Sequence, residues 1–93
     1  MSTEPRGSPA RMLRGMVRGE FTVYPFIEGQ ELPHHVQVAI DAINEMGLEV
    51  EVGPLGNTIA GPLERVLDAL HRAQAAALSA GATRIVIRLE VES

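Results

Sequence analysis

The stretch LEVEVGPLGNTIA, residues 48–60, is the part of the sequence that decides the fold. Leu48, Val50 and Val52 alternate with Glu49 and Glu51, the period of a strand buried on one side. Gly53-Pro54 supplies a turn, and Leu55 to Ala60 reads as a further strand, so the two form a hairpin. On either side of this hairpin the apolar period changes from two to about three and a half. Upstream, Val36, Ala39, Ile40 and Ile43 recur at helical spacing, with Pro33 placed in the first turn, where its missing N–H is not needed, and Gly47 at the stop. Downstream, Gly61-Pro62 opens a second helix with an apolar stripe of Leu63, Val66, Leu67, Leu70, Ala73, Ala77 and Leu78, closed by Gly81. Strand patterns flank the whole. Val17, Phe21 and Val23 alternate with Arg18, Glu20, Thr22 and Tyr24 over Val17 to Phe26, before Pro25 weakens the ladder. Ile85, Ile87, Leu89 and Val91 alternate with Arg84, Val86, Arg88 and Glu90 over Thr83 to Glu92.

Strand, helix, strand, strand, helix, strand is the split βαβ order. It predicts an α+β, ferredoxin-like βαββαβ sandwich: a four-stranded antiparallel sheet with two helices on one face, because right-handed crossovers carry both helices to the same side. The other face stays open, and the alternation assigns to it Glu20, Thr22, Tyr24, Glu49, Glu51, Thr58, Arg84, Val86, Arg88 and Glu90. Residues 16–93 make up this domain. Residues 1–15, rich in Pro, Gly, Ser and Arg and without apolar periodicity, read as a flexible leader.

Ninety-three residues suit one hydrophobic core. With 45% hydrophobic but only 3% aromatic residues, that core must be assembled from many Val, Ile, Leu and Ala contacts. No cysteine is present, so disulfides, thiol catalysis and thiolate metal sites are excluded, and a reducing, cytoplasmic setting is expected. No apolar run reaches the roughly 20 residues of a membrane span. The net charge of −4 conceals an asymmetry: Gly19 onward carries eleven acidic side chains against four arginines, while Arg6, Arg11, Arg14 and Arg18 precede it. So acidic a domain repels phosphate backbones, and nucleic-acid binding is not expected.

The chemistry-bearing residues do not compose an active site. Ser2, Ser8, Ser79 and Ser93 lie near no histidine in sequence and in no nucleophile elbow. The glycines at 53, 56 and 61 lack the Gly-Lys pair of a phosphate loop. An acylphosphatase-like enzyme would want an Arg in a phosphate-cradling loop after the first strand, and Phe26 to Leu32 contains none. His34 and His35 point about 100° apart on a helix and cannot easily share one ion, and His71 has no companion, so exposed histidines and no metal are expected. Among the aromatics Phe21 is assigned to the core, while Tyr24 and Phe26 could stack on a flat heterocycle. Gln74 falls at the edge of an otherwise apolar stripe, where its amide needs a partner: the backbone, a neighbouring loop, or a ligand.

EFTVYP at the first strand, MGL at the first helix stop, GPLGNTIAG across the third strand, LERVLDAL in the second helix and GATRIVIRLEV at the end together resemble the family of small ferredoxin-like proteins that bind thiamine or hydroxymethylpyrimidine. The resemblance covers about Glu20 to Val91. It implies a cytoplasmic homo-oligomer, a dimer or tetramer, with a site in some members for thiamine or its pyrimidine part, and neither catalysis nor a cofactor. Four positions depart from the residues usual in the family: Pro33 stands for a Ser, Asn57 for a Thr, Ala60 for a Glu and Gln74 for a His. Asn57 and Gln74 still donate and accept hydrogen bonds, whereas Ala60 offers no side-chain group to a cationic heterocycle. The candidate ligand-binding set is Thr22, Tyr24, Gly56, Asn57, Thr58 and Gln74. The leading expectation is a non-enzymatic binder of thiamine or a related pyrimidine. The alternative is a structural or regulatory homo-oligomeric interaction module without a thiamine ligand, whose open face assembles subunits.

Overall fold

The computed structural model describes residues 16–25, 32–54 and 56–91, and the leader expected over 1–15 lies outside them, as do Phe26 and Leu55. The elements are β1 (Met16–Tyr24), α1 (His34–Asn44), β2 (Glu51–Val52), β3 (Asn57–Pro62), α2 (Leu63–Ser79) and β4 (Arg84–Val91). They form one antiparallel sheet in the order β2-β3-β1-β4, the ferredoxin-like arrangement that the element order requires.

Alternation along β1 sends Val17, Gly19, Phe21 and Val23 into the layer between sheet and helices. There they meet Val36, Ala39, Ile40 and Ile43 of α1 and Val66, Ala69, Leu70, Ala73 and Ala77 of α2. Phe21, Ile43, Ile59 and Val66 are the largest side chains wholly withdrawn from water. Alanines line much of the helical side, so α2 can lie close to the sheet. Gly19 makes that approach possible: a Cβ there would stand 3.2 Å from side-chain carbons of both Leu70 and Val66. Leu70→Ala should cost about 2–5 kcal/mol by leaving a cavity over Gly19. Urea denaturation checks this, and a loss under about 1 kcal/mol would place Leu70 outside the core.

Both helices begin behind a proline, Pro33 or Pro62, in extended conformation. Gly81 at φ +106° ends α2 in a Schellman pattern, its N–H bonding Leu78 O at 3.3 Å while Ala82 N–H bonds Ala77 O at 2.9 Å.

Three expectations are corrected. The hairpin is shorter and displaced: only Glu51 and Val52 pair with β3, opposite Thr58 and Asn57, and β3 runs on to Pro62. Leu48 and Val50 pack against the core without a ladder, so their burial alone accounts for the period-two pattern. Leu63, Leu67 and Leu78, read as part of the buried stripe, are exposed, because a helix resting on a sheet buries only the sector centred on Val66, Ala69, Leu70, Ala73 and Ala77. His35, expected in solvent, is buried. Its Nε2–H donates to Pro25 O at 2.8 Å, tying α1 to the end of β1, while His34 and His71 are exposed.

Candidate functional site: the open face of the sheet

Residues directly opposite in an antiparallel sheet share a face, so the register defines the surface away from the helices. Glu20 lies between Thr58 on β3 and Arg88 on β4, Arg18 between Ala60 and Glu90, Thr22 beside Val86 and Tyr24 beside Arg84. Glu51 extends the row outward from Thr58. The charges there are locally matched: Arg88 Nε is 3.8 Å from Glu20 Oε1 and 3.6 Å from Glu90 Oε2. These pairs are exposed and each contributes little, in the range of about 0–1 kcal/mol. The Arg84 guanidinium sits 4.1 Å from the Tyr24 ring centroid and occupies one face of that ring.

Gly56 comes close to this row from the β2–β3 turn, which Gly53 N–H closes onto Gly56 O at 2.8 Å. A Cβ on Gly56 would stand 3.1 Å from both Glu20 Oε2 and Thr22 Oγ1, so the bare backbone lies against two oxygen-bearing side chains. Beyond the short β2 ladder, the chain from Gly47 to Val50 diverges from β3 and opens a cleft of about 610 Å³. It is lined by Arg18, residues 47–51 and residues 58–60. Glu49, Glu51, Thr58 and Arg18 give the cleft its polar groups, and Ala60 lies in the same wall.

The six candidate residues divide between two layers. Thr22, Tyr24 and Thr58 are on the open face with Gly56 beside them. Asn57 lies behind the sheet, buried, its Nδ2–H donating to Phe21 O at 3.3 Å. Gln74 also belongs to the helix layer. Its amide donates to Leu70 O at 3.1 Å, and it borders a seam with Phe21, Val23, Ile85 and Ile87 that has no room for a water molecule. Arg18 and the pair Glu49/Glu51 are absent from the sequence-derived set. The carboxylates were legible through their alternation with Leu48 and Val50, but the divergence that turns their strand into a cleft wall was not. Among the described residues no group of three His, Cys, Asp or Glu side chains could hold a metal ion, and no helix is long and apolar enough to cross a membrane.

Residues 19–93, from Gly19 in β1 through the whole sandwich, match the profile of the thiamine-binding protein family. The chain belongs to that family. A UPF0045 protein of Clostridium perfringens is 26% identical over 70 residues, covering 75% of this chain and 74% of that protein. Among solved structures, a domain of unknown function, DUF77, from Bacillus cereus superposes with a TM-score of 0.64 at 28% identity, covering 88% of this chain and 79% of the other. A Thermotoga maritima protein provisionally assigned to thiamine biosynthesis or salvage gives 0.61 at 27% identity, covering 84% and 83%. Ala60 of β3 and Glu49 and Glu51 line the same cleft, so the cleft's negative charge comes from residues 49 and 51.

Proposed function

We propose that this protein binds thiamine or hydroxymethylpyrimidine without transforming it, in the cytoplasm, with the ligand held in the open-face cleft. The observation that carries the reading is the cleft itself. Its volume of about 610 Å³ falls within the roughly 300–1,000 Å³ of small-molecule sites, and it is the place where hydroxyl, carboxylate and guanidinium groups converge. Glu49 and Glu51 supply counter-charge for a cationic ring, and Thr58 supplies a hydroxyl for a ring nitrogen or an exocyclic amine. Thr22, Gly56 and Tyr24 lie farther along the same open-face row, outside the cleft lining. Asn57 acts in this reading from behind the sheet, tying β3 to β1, and Gln74 is bonded within α2.

Thermal unfolding with thiamine, its phosphates and hydroxymethylpyrimidine tests the proposal. A ligand at 100 times its Kd stabilises the native state by about 2.7 kcal/mol, which raises the Tm by about 10 °C or more in a domain of this size. Glu49→Gln combined with Glu51→Gln should weaken thiamine about tenfold and leave the uncharged pyrimidine within about twofold, since only the cation loses a charge partner. The bound compound should be recovered chemically unchanged. If no ligand shifts the transition while the protein remains a dimer or tetramer, the alternative role as an assembly module replaces ligand binding.

A further inference from the structure

On the open face the register sets Ala60 directly opposite Arg18, and Arg18 in turn opposite Glu90. Had the β2–β3 ladder run on past Glu51 and Thr58, Glu49 would stand opposite Ala60 on its other side. The chain diverges there instead. Glu49 and Arg18 therefore bound the cleft on either side of Ala60, whose methyl group leaves the floor between them open. Neighbouring strands are about 4.8 Å apart, so the two backbones are about 10 Å or more from each other. One wall of the cleft is acidic, with Glu51 beside Glu49, and the other is basic. The basic side is not surrounded by excess acid. On the β1–β4 half of the face the guanidiniums of Arg18, Arg84 and Arg88 stand against the carboxylates of Glu20 and Glu90, and both carboxylates approach Arg88, at 3.8 and 3.6 Å. The excess negative charge of the open face lies on the Glu49/Glu51 wall.

We infer that the preferred ligand of this cleft is a cationic heteroaromatic ring that carries a phosphate monoester, and that Arg18 and Ala60 set that preference. The inference rests on the cleft being the ligand site and adds which form of the ligand it selects. The positive ring lies against Glu49 and Glu51. The phosphate passes over Ala60 to the Arg18 guanidinium, whose fixed fork of N–H donors matches phosphate oxygens. An acidic domain accepts this anion because it is held on the half of the face where charges balance, at a distance from the two acids that screening makes tolerable. Arg18 is the one cationic side chain in the lining among the described residues, so one phosphate is answered there and a second is not. Position 60 acts by its size and neutrality. A carboxylate there would stand directly opposite Arg18 and occupy the guanidinium in place of the phosphate.

Calorimetric titration of the full chain with thiamine, thiamine monophosphate and thiamine diphosphate tests this. At low salt the monophosphate should bind at least about tenfold tighter than thiamine, and the diphosphate no tighter than the monophosphate. Arg18→Gln should bring the monophosphate to within about twofold of thiamine, while thiamine itself stays within about twofold of its wild-type affinity. Ala60→Glu should weaken the monophosphate by at least about tenfold and leave thiamine bound equally well or tighter. Both positions are exposed, so each variant should keep the native far-ultraviolet circular dichroism. Added salt should narrow the preference, because it is electrostatic in origin. Thiamine binding with no preference for its monophosphate overturns the inference and leaves the cleft as the ligand site. So does a preference for the diphosphate, one that survives Arg18→Gln, or one untouched by Ala60→Glu. Binding of none of the three compounds removes the inference and the ligand site together.

Discussion

Phe21→Ala is expected to cost about 3–5 kcal/mol of stability, a large part of the roughly 5–15 kcal/mol a domain possesses. The chain has two Phe and one Tyr and no Trp, so no other large ring can fill the space. Phe21 is 1% exposed at the centre of β1, with Ile87 opposite on one side and Asn57 on the other. Its removal leaves a hole in a close-packed layer, beside Ala73 of α2, whose side chain is too short to fill it. Urea denaturation should show a lower midpoint at unchanged slope, and the Tm should fall by more than about 12 °C. A loss under about 1 kcal/mol would mean that the core is centred elsewhere.

The second large effect is expected from Asn57→Asp. Asn57 is 5% exposed, and its amide donates to a main-chain carbonyl in the middle of the sheet. A carboxylate of the same shape has no proton to donate. It would face the Phe21 carbonyl oxygen with like partial charge in a site closed to water, which should cost about 3 kcal/mol or more at neutral pH. The sign with pH is definite. Burial raises the folded-state pKa of the introduced carboxyl above its unfolded value. The penalty is therefore absent below the unfolded pKa, grows as pH rises, and is complete above the folded pKa. In its neutral form the group can again donate to Phe21 O. Relative to wild type, the variant should recover stability as pH is lowered from 7 towards 4. A deficit that is constant across that range would show that a lost shape, rather than a buried charge, is responsible.

These two substitutions mark where sequence reasoning reached. Phe21 was legible as core because it alternates with Glu20 and Thr22, and burial in a sheet follows a period of two that local sequence records. Asn57 alternates correctly as well, between Gly56 and Thr58, yet a polar residue gives no sign of which side it takes. It was grouped with Thr58 as a ligand contact, whereas the register with Phe21 sends it behind the sheet. Gln74 was read as an amide in need of a partner and found one in Leu70 O, four residues back on its own helix. His35 looked like any helix-surface histidine, because its partner, Pro25, is ten residues away in sequence.

The sequence by itself determined the order and type of the elements, the helix stops at Gly47 and Gly81 and the identity of the open face. Each of these follows from periodicity, turn chemistry or the handedness of a crossover, which act over a few residues or by general rule. Only the tertiary structure decided where the β2–β3 ladder ends, that Gly47 to Val50 leaves β3 to open a cleft, and that the outer leucines of α2 and Leu89 and Val91 of β4 stay uncovered. Those outcomes depend on how far one layer extends over another. A period-two or period-3.6 pattern marks which side of an element is apolar, but not whether anything lies above it, and the helices here end short of the last strand they would have to cover.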